Sequence, residues 1–103
     1  MLMNDKKLRL LIYIVAYNHE KFIKKVLDRI PIKIIEKYQT EILINDDSSD
    51  DNTLDIINEY KKKNKIEKFK ITVLSNPKNQ GYGGNQKIGY YYAIKHNLDF
   101  VAL

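Results

Sequence analysis

Apolar residues fall into four short runs along this chain, and helical patterns separate them. Residues 8 to 16, LRLLIYIVA, are apolar and β-branched at successive positions, which predicts a strand covered on both faces in a parallel sheet. Residues 20 to 30 then space Phe22, Ile23, Val26, Leu27 and Ile30 three and four apart, the pattern of an amphipathic helix, stopped by Pro31. Residues 32 to 39 are ambiguous, because Ile34 and Ile35 fit either a helix resumed after a kink or a loop. A second buried strand is expected over 41 to 45. An acidic turn follows, and then a helix from about Asn52 to Asn64 with Leu54, Ile56, Ile57 and Tyr60 on its apolar side. Ser49 or Asp50 is placed to cap that helix, and carboxylates in its first turn suit the positive end of its dipole. Residues 69 to 75, FKITVLS, give a third strand. Residues 76 to 84, NPKNQGYGG, are a loop dense in turn formers. A third helix is expected from about Asn85 to His96, with Ile88, Tyr91, Tyr92 and Ile94 on its apolar side, and residues 99 to 103 open a fourth strand.

Strands and helices thus alternate, which predicts the α/β class: a Rossmann-like, doubly wound parallel sheet with right-handed crossovers. Ligands in such sheets bind beyond the carboxyl ends of the strands. The polar clusters Tyr17-Asn18-His19-Glu20, Asn45 to Asp50 and Asn76 to Gly84 all fall at those ends, so three loops can converge on one site. The last residues, Phe100-Val101-Ala102-Leu103, form an apolar strand with nothing polar after it. That ending predicts a fragment of a longer protein, or a strand that pairs with another copy as a homo-oligomer.

A chain of 103 residues has room for one domain with a modest core. The absence of cysteine excludes disulfides and thiolate metal sites, and it fits a cytoplasmic compartment. The net charge of +5 raises the question of nucleic acid. The surplus is concentrated in Lys61, Lys62, Lys63, Lys65, Lys68 and Lys70, at a helix end where cations meet the negative pole of the dipole, and no aromatic residues interleave with them as in a single-strand-binding groove. Nucleic acid is therefore not expected as a partner. The opening MLMNDKKLRL superficially resembles a signal peptide. Arg9 interrupts its apolar run, and polar residues follow directly, so a buried strand is the better reading. No stretch approaches the roughly 20 apolar residues of a membrane span, so any membrane association would come from regions outside this sequence.

The chemistry concentrates in Asp46-Asp47-Ser48-Ser49-Asp50-Asp51-Asn52-Thr53. A calcium hand would need glycine where Asp51 stands and glutamate where Ile57 stands. A receiver domain would carry its acidic pair after the first strand, where this chain has AYNHE. Two readings remain open: nucleotide recognition, with a carboxylate accepting from a base or ribose, or four acids that only cap a helix and solvate a turn. The second accounts for Asp50 and Asp51 better than for Asp46 and Asp47. Gly81-Tyr82-Gly83-Gly84 before a helix has the look of a phosphate cradle. It lacks the last glycine of GxGxxG, at Gln86, and the Gly-Lys-Ser/Thr of a P-loop. His19 and His96 offer neither metal spacing nor a nucleophile partner.

Three segments together resemble family 2 glycosyltransferases. Val15-Ala16-Tyr17-Asn18-His19-Glu20 is similar to their Pro-x-Tyr-Asn-Glu-Glu segment, Asp46 to Thr53 to their Asp-Asp-Gly-Ser-x-Asp-x-Thr turn, and Asn79 to Gln86 to their third loop, in the family's order and across nearly the whole chain. The third loop and its continuation look most like the dolichyl-phosphate or polyprenyl-phosphate sugar transferase branch. The resemblance implies the N-terminal, nucleotide-binding part of a GT-A fold, a UDP- or GDP-linked sugar donor, and Mn²⁺ or Mg²⁺ in the full-length enzyme. By that likeness the backbone at Val15 and Ala16, with Tyr17, holds the base, and His19 or Glu20 lies beside the ribose. Asp46 and Asp47 belong to the nucleoside end, with Asp47 bonded to the base or ribose, and Gly81, Gly83 and Gly84 lie on the phosphate side. Val15 replaces the family's usual proline and Ser48 its usual glycine. The Asp-x-Asp metal ligands and the catalytic base are expected beyond Leu103, so neither metal ligands nor catalytic residues are expected within these residues, which should be inactive alone. The other readings are a complete non-catalytic nucleotide-binding or regulatory module, and a structural α/β domain.

Overall fold

A computed structural model describes residues 7–64 and 70–103. Its elements run β1 (Arg9–Ala16), α1 (Ile23–Asp28), α2 (Ile32–Lys37), β2 (Gln39–Asp46), α3 (Thr53–Lys63), β3 (Lys70–Ser75), α4 (Gly81–Lys95) and β4 (Phe100–Ala102). The four strands form one parallel sheet in the order β3-β2-β1-β4. This is the α/β, Rossmann-like architecture expected. Phe69, Lys65 and Lys68, and the opening six residues, lie outside the described residues.

β1 and β2 pair over all eight residues of each, with Arg9 opposite Gln39 and Ala16 opposite Asp46, and β4 pairs with β1 over Phe100–Ala102. Because strand side chains alternate faces, one set (Ala16, Ile42, Ile44 and Ile71) packs against Ile23 and Leu27 of α1 and Ile57 of α3. The other set (Leu11, Tyr13 and Leu43) packs against Ala93 of α4. The sheet is therefore wound on both faces, and the chain changes direction at β1, which separates β2 and β3 from β4.

The helices depart from the expected bounds where local bonds outweigh periodicity. α1 begins only at Ile23, because the amides of Phe22 and Ile23 both turn back to the His19 carbonyl, at 2.9 and 2.8 Å. The ambiguous segment is a separate short helix. Pro31 is extended at ψ 125° and its carbonyl receives the Ile34 and Ile35 amides, a start that suits a residue with fixed φ and no N–H. Ser49 and Asp50, expected as caps of α3, do not cap it. Asp51 Oδ1 instead accepts the Thr53 amide at 2.9 Å and the Thr53 hydroxyl.

α4 begins at Gly81, four residues before the expected start at Asn85, so Gly81, Gly83 and Gly84 are its first turn rather than a loop. Further along, a methyl group on Gly89 would lie 2.4 Å from the Tyr13 ring. Glycine there lets α4 lie directly on β1.

Candidate functional site

Asp46 and Asp47 are adjacent, and the pleat sends them to opposite faces of the sheet. Asp46 belongs with Ile42 and Ile44, on the α1 and α3 side, and its carboxylate is filled by the Ser49 hydroxyl at 2.6 Å and the Ser49 amide at 3.1 Å. Asp47 continues the ladder one residue past β2, its amide bonded to the Ala16 carbonyl at 2.8 Å, and its side chain goes to the α4 side. There Oδ1 accepts the Asn76 side-chain amide at 2.8 Å and the Gln80 backbone amide at 2.7 Å, and Oδ2 accepts the Gly81 amide at 3.2 Å. Asp47 thus holds the positive end of α4, a helix whose N-cap residue, Gln80, supplies no side-chain capping bond. Burial alone would push its carboxyl pKa up, but the bonds from Asn76, Gln80 and Gly81, with the Asn85 side-chain amide nearby, outweigh this and hold it below the ordinary carboxylate value.

Behind Asp47 lies a buried polar chain. Asn76 Nδ2 also donates to Asn85 Oδ1 at 2.8 Å, as does Asn45 Nδ2 at 3.2 Å. Asn45 Nδ2 further donates to the Tyr13 hydroxyl at 3.1 Å, and that hydroxyl donates to the Asn85 carbonyl at 2.8 Å. These bonds fasten α4 to the tips of β1, β2 and β3. Burial raises the Tyr13 phenol pKa, the Asn45 bond opposes this, and the Asp47 charge adds to the rise.

The loops after β1 and β2 are tied together as well. The Asn18 amide donates to Ser49 Oγ at 2.9 Å, the Asp50 amide to Asn18 Oδ1 at 2.8 Å, the His19 amide to Thr53 Oγ1 at 2.8 Å and the Glu20 amide to Asp51 Oδ2 at 3.2 Å. Asn18 and Ser48 take positive φ, 50° and 62°. Asparagine tolerates that conformation, and serine does so at a cost. Ser48 stands where the resemblance calls for glycine, and its φ supplies the reason.

A cleft of about 580 Å³ opens where these loops meet. Val15, Tyr17 and His19 line it from the end of β1, Asp47 from β2, Asn79 and Gly81 from the turn into α4, Tyr82, Asn85 and Gln86 from α4 itself, and Leu103 from beyond β4. Its position, outside the strand ends at the point where strand order reverses, is the usual ligand crevice of an open α/β sheet.

Of the expected site residues, Val15, Tyr17, His19, Asp47 and Gly81 line this cleft. Ala16 is buried on the opposite face. Asp46 is turned to Ser49, and Glu20 borders the groove between α1 and α3. Gly83 and Gly84 are not among the lining residues. The amides of Gln80 and Gly81, placed where a phosphate cradle was expected, already hold the Asp47 carboxylate. The sequence did not single out Tyr13, and it marked Asn76, Asn79, Tyr82, Asn85 and Gln86 only as members of the third loop. The dense Asn and Gln content of 76 to 86 was the available signal, since buried amides need partners.

The model for the family described as "Glycosyl transferase family 2" matches residues 11–95. An uncharacterized protein of Methanocaldococcus jannaschii is 37% identical over 82 residues, covering 80% of this chain and 32% of that protein. The poly(ribitol-phosphate) beta-glucosyltransferase of Bacillus spizizenii is 41% identical over 56 residues, covering 54% of this chain and 9% of that protein. The chain therefore spans about a third of the length of one relative and under a tenth of the other.

Proposed function

The chain belongs to glycosyl transferase family 2, and from that premise we propose that its cleft receives the nucleoside of a UDP- or GDP-linked sugar donor. The observation that carries this reading is convergence: the three loops that resemble the family's motifs all contribute side chains to one cleft at the sheet's switch point. Tyr17 supplies a flat aromatic face for the base. Asp47 Oδ2 accepts one bond and keeps a lone pair for a base N–H or a ribose hydroxyl. Among the described residues no lysine or arginine lines the cleft, and Asp47 occupies the amides at the start of α4, so we assign neutralisation of the diphosphate to regions other than these.

The Mn²⁺ or Mg²⁺ implied by the resemblance does not fit the residues present. Among the described residues no three His, Cys, Asp or Glu side chains cluster. Both carboxylates of the acidic pair face N–H and O–H donors, which repel a cation that seeks oxygen ligands. We assign the metal ligands and the group that activates the acceptor to regions other than these, so the 103 residues should bind nucleotide without transferring sugar. For the acceptor, the relative named as a poly(ribitol-phosphate) glucosyltransferase favours a glycan or polyol-phosphate polymer over a polyprenyl phosphate. Among the described residues no helix is long and apolar enough to cross a membrane.

Isothermal titration with UDP and GDP, with and without Mn²⁺, tests the reading. Binding of at least one nucleotide, little changed by the metal, is the expected result. No heat from either nucleotide at millimolar concentration overturns it.

A further inference from the structure

Tyr82 is the most exposed large side chain at the cleft, with 80% of its surface open to solvent. Nothing among the described residues covers its ring. The side chain is nevertheless oriented: its hydroxyl accepts a bond from Gln86 Nε2 at 2.8 Å, one helical turn on. Tyr82 projects from the first turn of α4, and that turn is anchored to the sheet by Asp47 through Gln80 and Gly81. An aromatic ring is thus held at the border of the cleft, on a helix end that cannot shift without breaking those bonds. Tyr17, itself 44% exposed, lines the same cleft from the end of β1.

Resting on the nucleoside reading of the cleft, we propose that Tyr82 is a second aromatic platform for the donor's base, supplied by α4 and set in place by Gln86. A base has two π-faces. A cleft that offers a tyrosine from each of two elements can cover both, and an aromatic face accepts any base, because stacking tolerates sequence. The ring then contributes affinity common to uracil and guanine, while discrimination between them falls to polar groups of the lining, Asp47 and Asn79. Gln86 is a positioning residue in this arrangement. It limits the ring's rotamers, so less conformational freedom is lost when the base docks.

The chain contains eight tyrosines and no tryptophan, so its emission is that of tyrosine, and the difference in quenching between wild type and Tyr82→Ala isolates the share of that ring. UDP and GDP are titrated into the wild-type chain and into Tyr82→Ala, Tyr82→Phe and Gln86→Ala, with affinity read by calorimetry and by quenching. The expected result is a loss of about 5- to 150-fold for Tyr82→Ala with whichever nucleotide binds, the range that removal of a stacking ring produces. Tyr82→Phe should stay within about threefold of wild type, because the ring remains, and Gln86→Ala should fall between the two. Since Tyr82 is exposed, the thermal midpoint of Tyr82→Ala should match wild type, which separates lost stacking from lost folding. Wild-type affinity and quenching in Tyr82→Ala overturn the role of Tyr82 and leave the cleft's function standing. Absence of nucleotide binding by the wild type overturns both.

Discussion

Two helices in this chain start on an aspartate, and the two aspartates work over different distances. Asp51 holds the first turn of α3 from two residues away, through the Thr53 amide and hydroxyl. Asp47 holds the first turn of α4 from 33 and 34 residues away, through Gln80 and Gly81. The local contact serves its own helix and one neighbouring amide, that of Glu20. The remote contact binds the loop after β2 to the loop after β3 and so forms the back of the cleft. Similar chemistry, a carboxylate on helix amides, acts in one place as a cap and in the other as part of a site.

Removing each carboxylate separates the two roles. Asp47→Ala leaves the Gln80 amide without its acceptor and takes one of two acceptors from the Asn76 side chain and the Gly81 amide, and as a loss of several bonds to one charged group it should lower unfolding free energy by about 3 kcal/mol. Asp51→Ala should cost less, because that group is solvated. Hydrogen exchange distinguishes them residue by residue: Asp47→Ala should deprotect Gln80 and Gly81, and Asp51→Ala should deprotect Thr53 and Glu20. Equal losses of stability, or deprotection of both helix starts by either variant, would break the distinction. Nucleotide affinity should fall only with Asp47→Ala.

The seat of α4 gives the next largest effect. Alanine at 89 gains about 1 kcal/mol of helix propensity over glycine. Its methyl, however, would press into the Tyr13 ring, which cannot swing aside while its hydroxyl is bonded to Asn85 and Asn45. Overpacking of this kind outweighs the propensity gain, and Gly89→Ala should destabilise by about 2 kcal/mol in urea denaturation. If α4 were a loosely docked surface helix, the same change would stabilise the chain.

Acid titration tests the charge itself. The pKa of Asp47 is lowered in the folded chain, so between its folded and unfolded values the unfolded state binds the extra proton. The stability it contributes is then complete above the unfolded carboxylate value of about 4 and is lost as pH falls through the folded one. Asp51 is shifted in the same direction, by bonds from Thr53 and Glu20 acting against desolvation. Unfolding midpoints of the wild type should therefore decline below about pH 4, and Asp47→Asn should flatten part of that decline.

The comparison also shows what the sequence made legible. Strand and helix order followed from periodicity, because each element buries a face and the pattern of burial is local. That the acids after Asp47 start a helix was legible for the same reason, although Asp51 rather than Ser49 or Asp50 carries the bonds. The early start of α4 was not legible. Gly81-Tyr82-Gly83-Gly84 has poor helix propensity, and the group that stabilises its first turn comes from another strand. Strand alternation implies that Asp46 and Asp47 diverge, but both read as strand-tip acids, and only the folded sheet assigns one to Ser49 and the other to the cleft. The three asparagines at 45, 76 and 85 are far apart in sequence and meet only after β2, β3 and α4 have assembled.

Ser48 sits between the two aspartates and gives the smallest effect. Its φ of 62° places it in the left-handed region, which costs a residue with a Cβ about 1–2 kcal/mol. Glycine removes that cost but brings a more flexible unfolded chain, an opposing contribution of roughly 0.5–1 kcal/mol. Ser48→Gly should therefore stabilise by about 0.5 kcal/mol, seen as a rise of roughly 3 °C in thermal midpoint for a domain of this size. Asn18, at φ 50°, is the control. Its side chain holds the Asp50 amide, so Asn18→Gly loses a bond while gaining the same backbone freedom and should be neutral or destabilising. If both substitutions stabilised equally, backbone strain alone would shape these turns. Opposite signs would show that the two loops are joined by the Asn18 side chain, while Ser48 serves only as the bend that lets Asp47 and Asp51 face different helices.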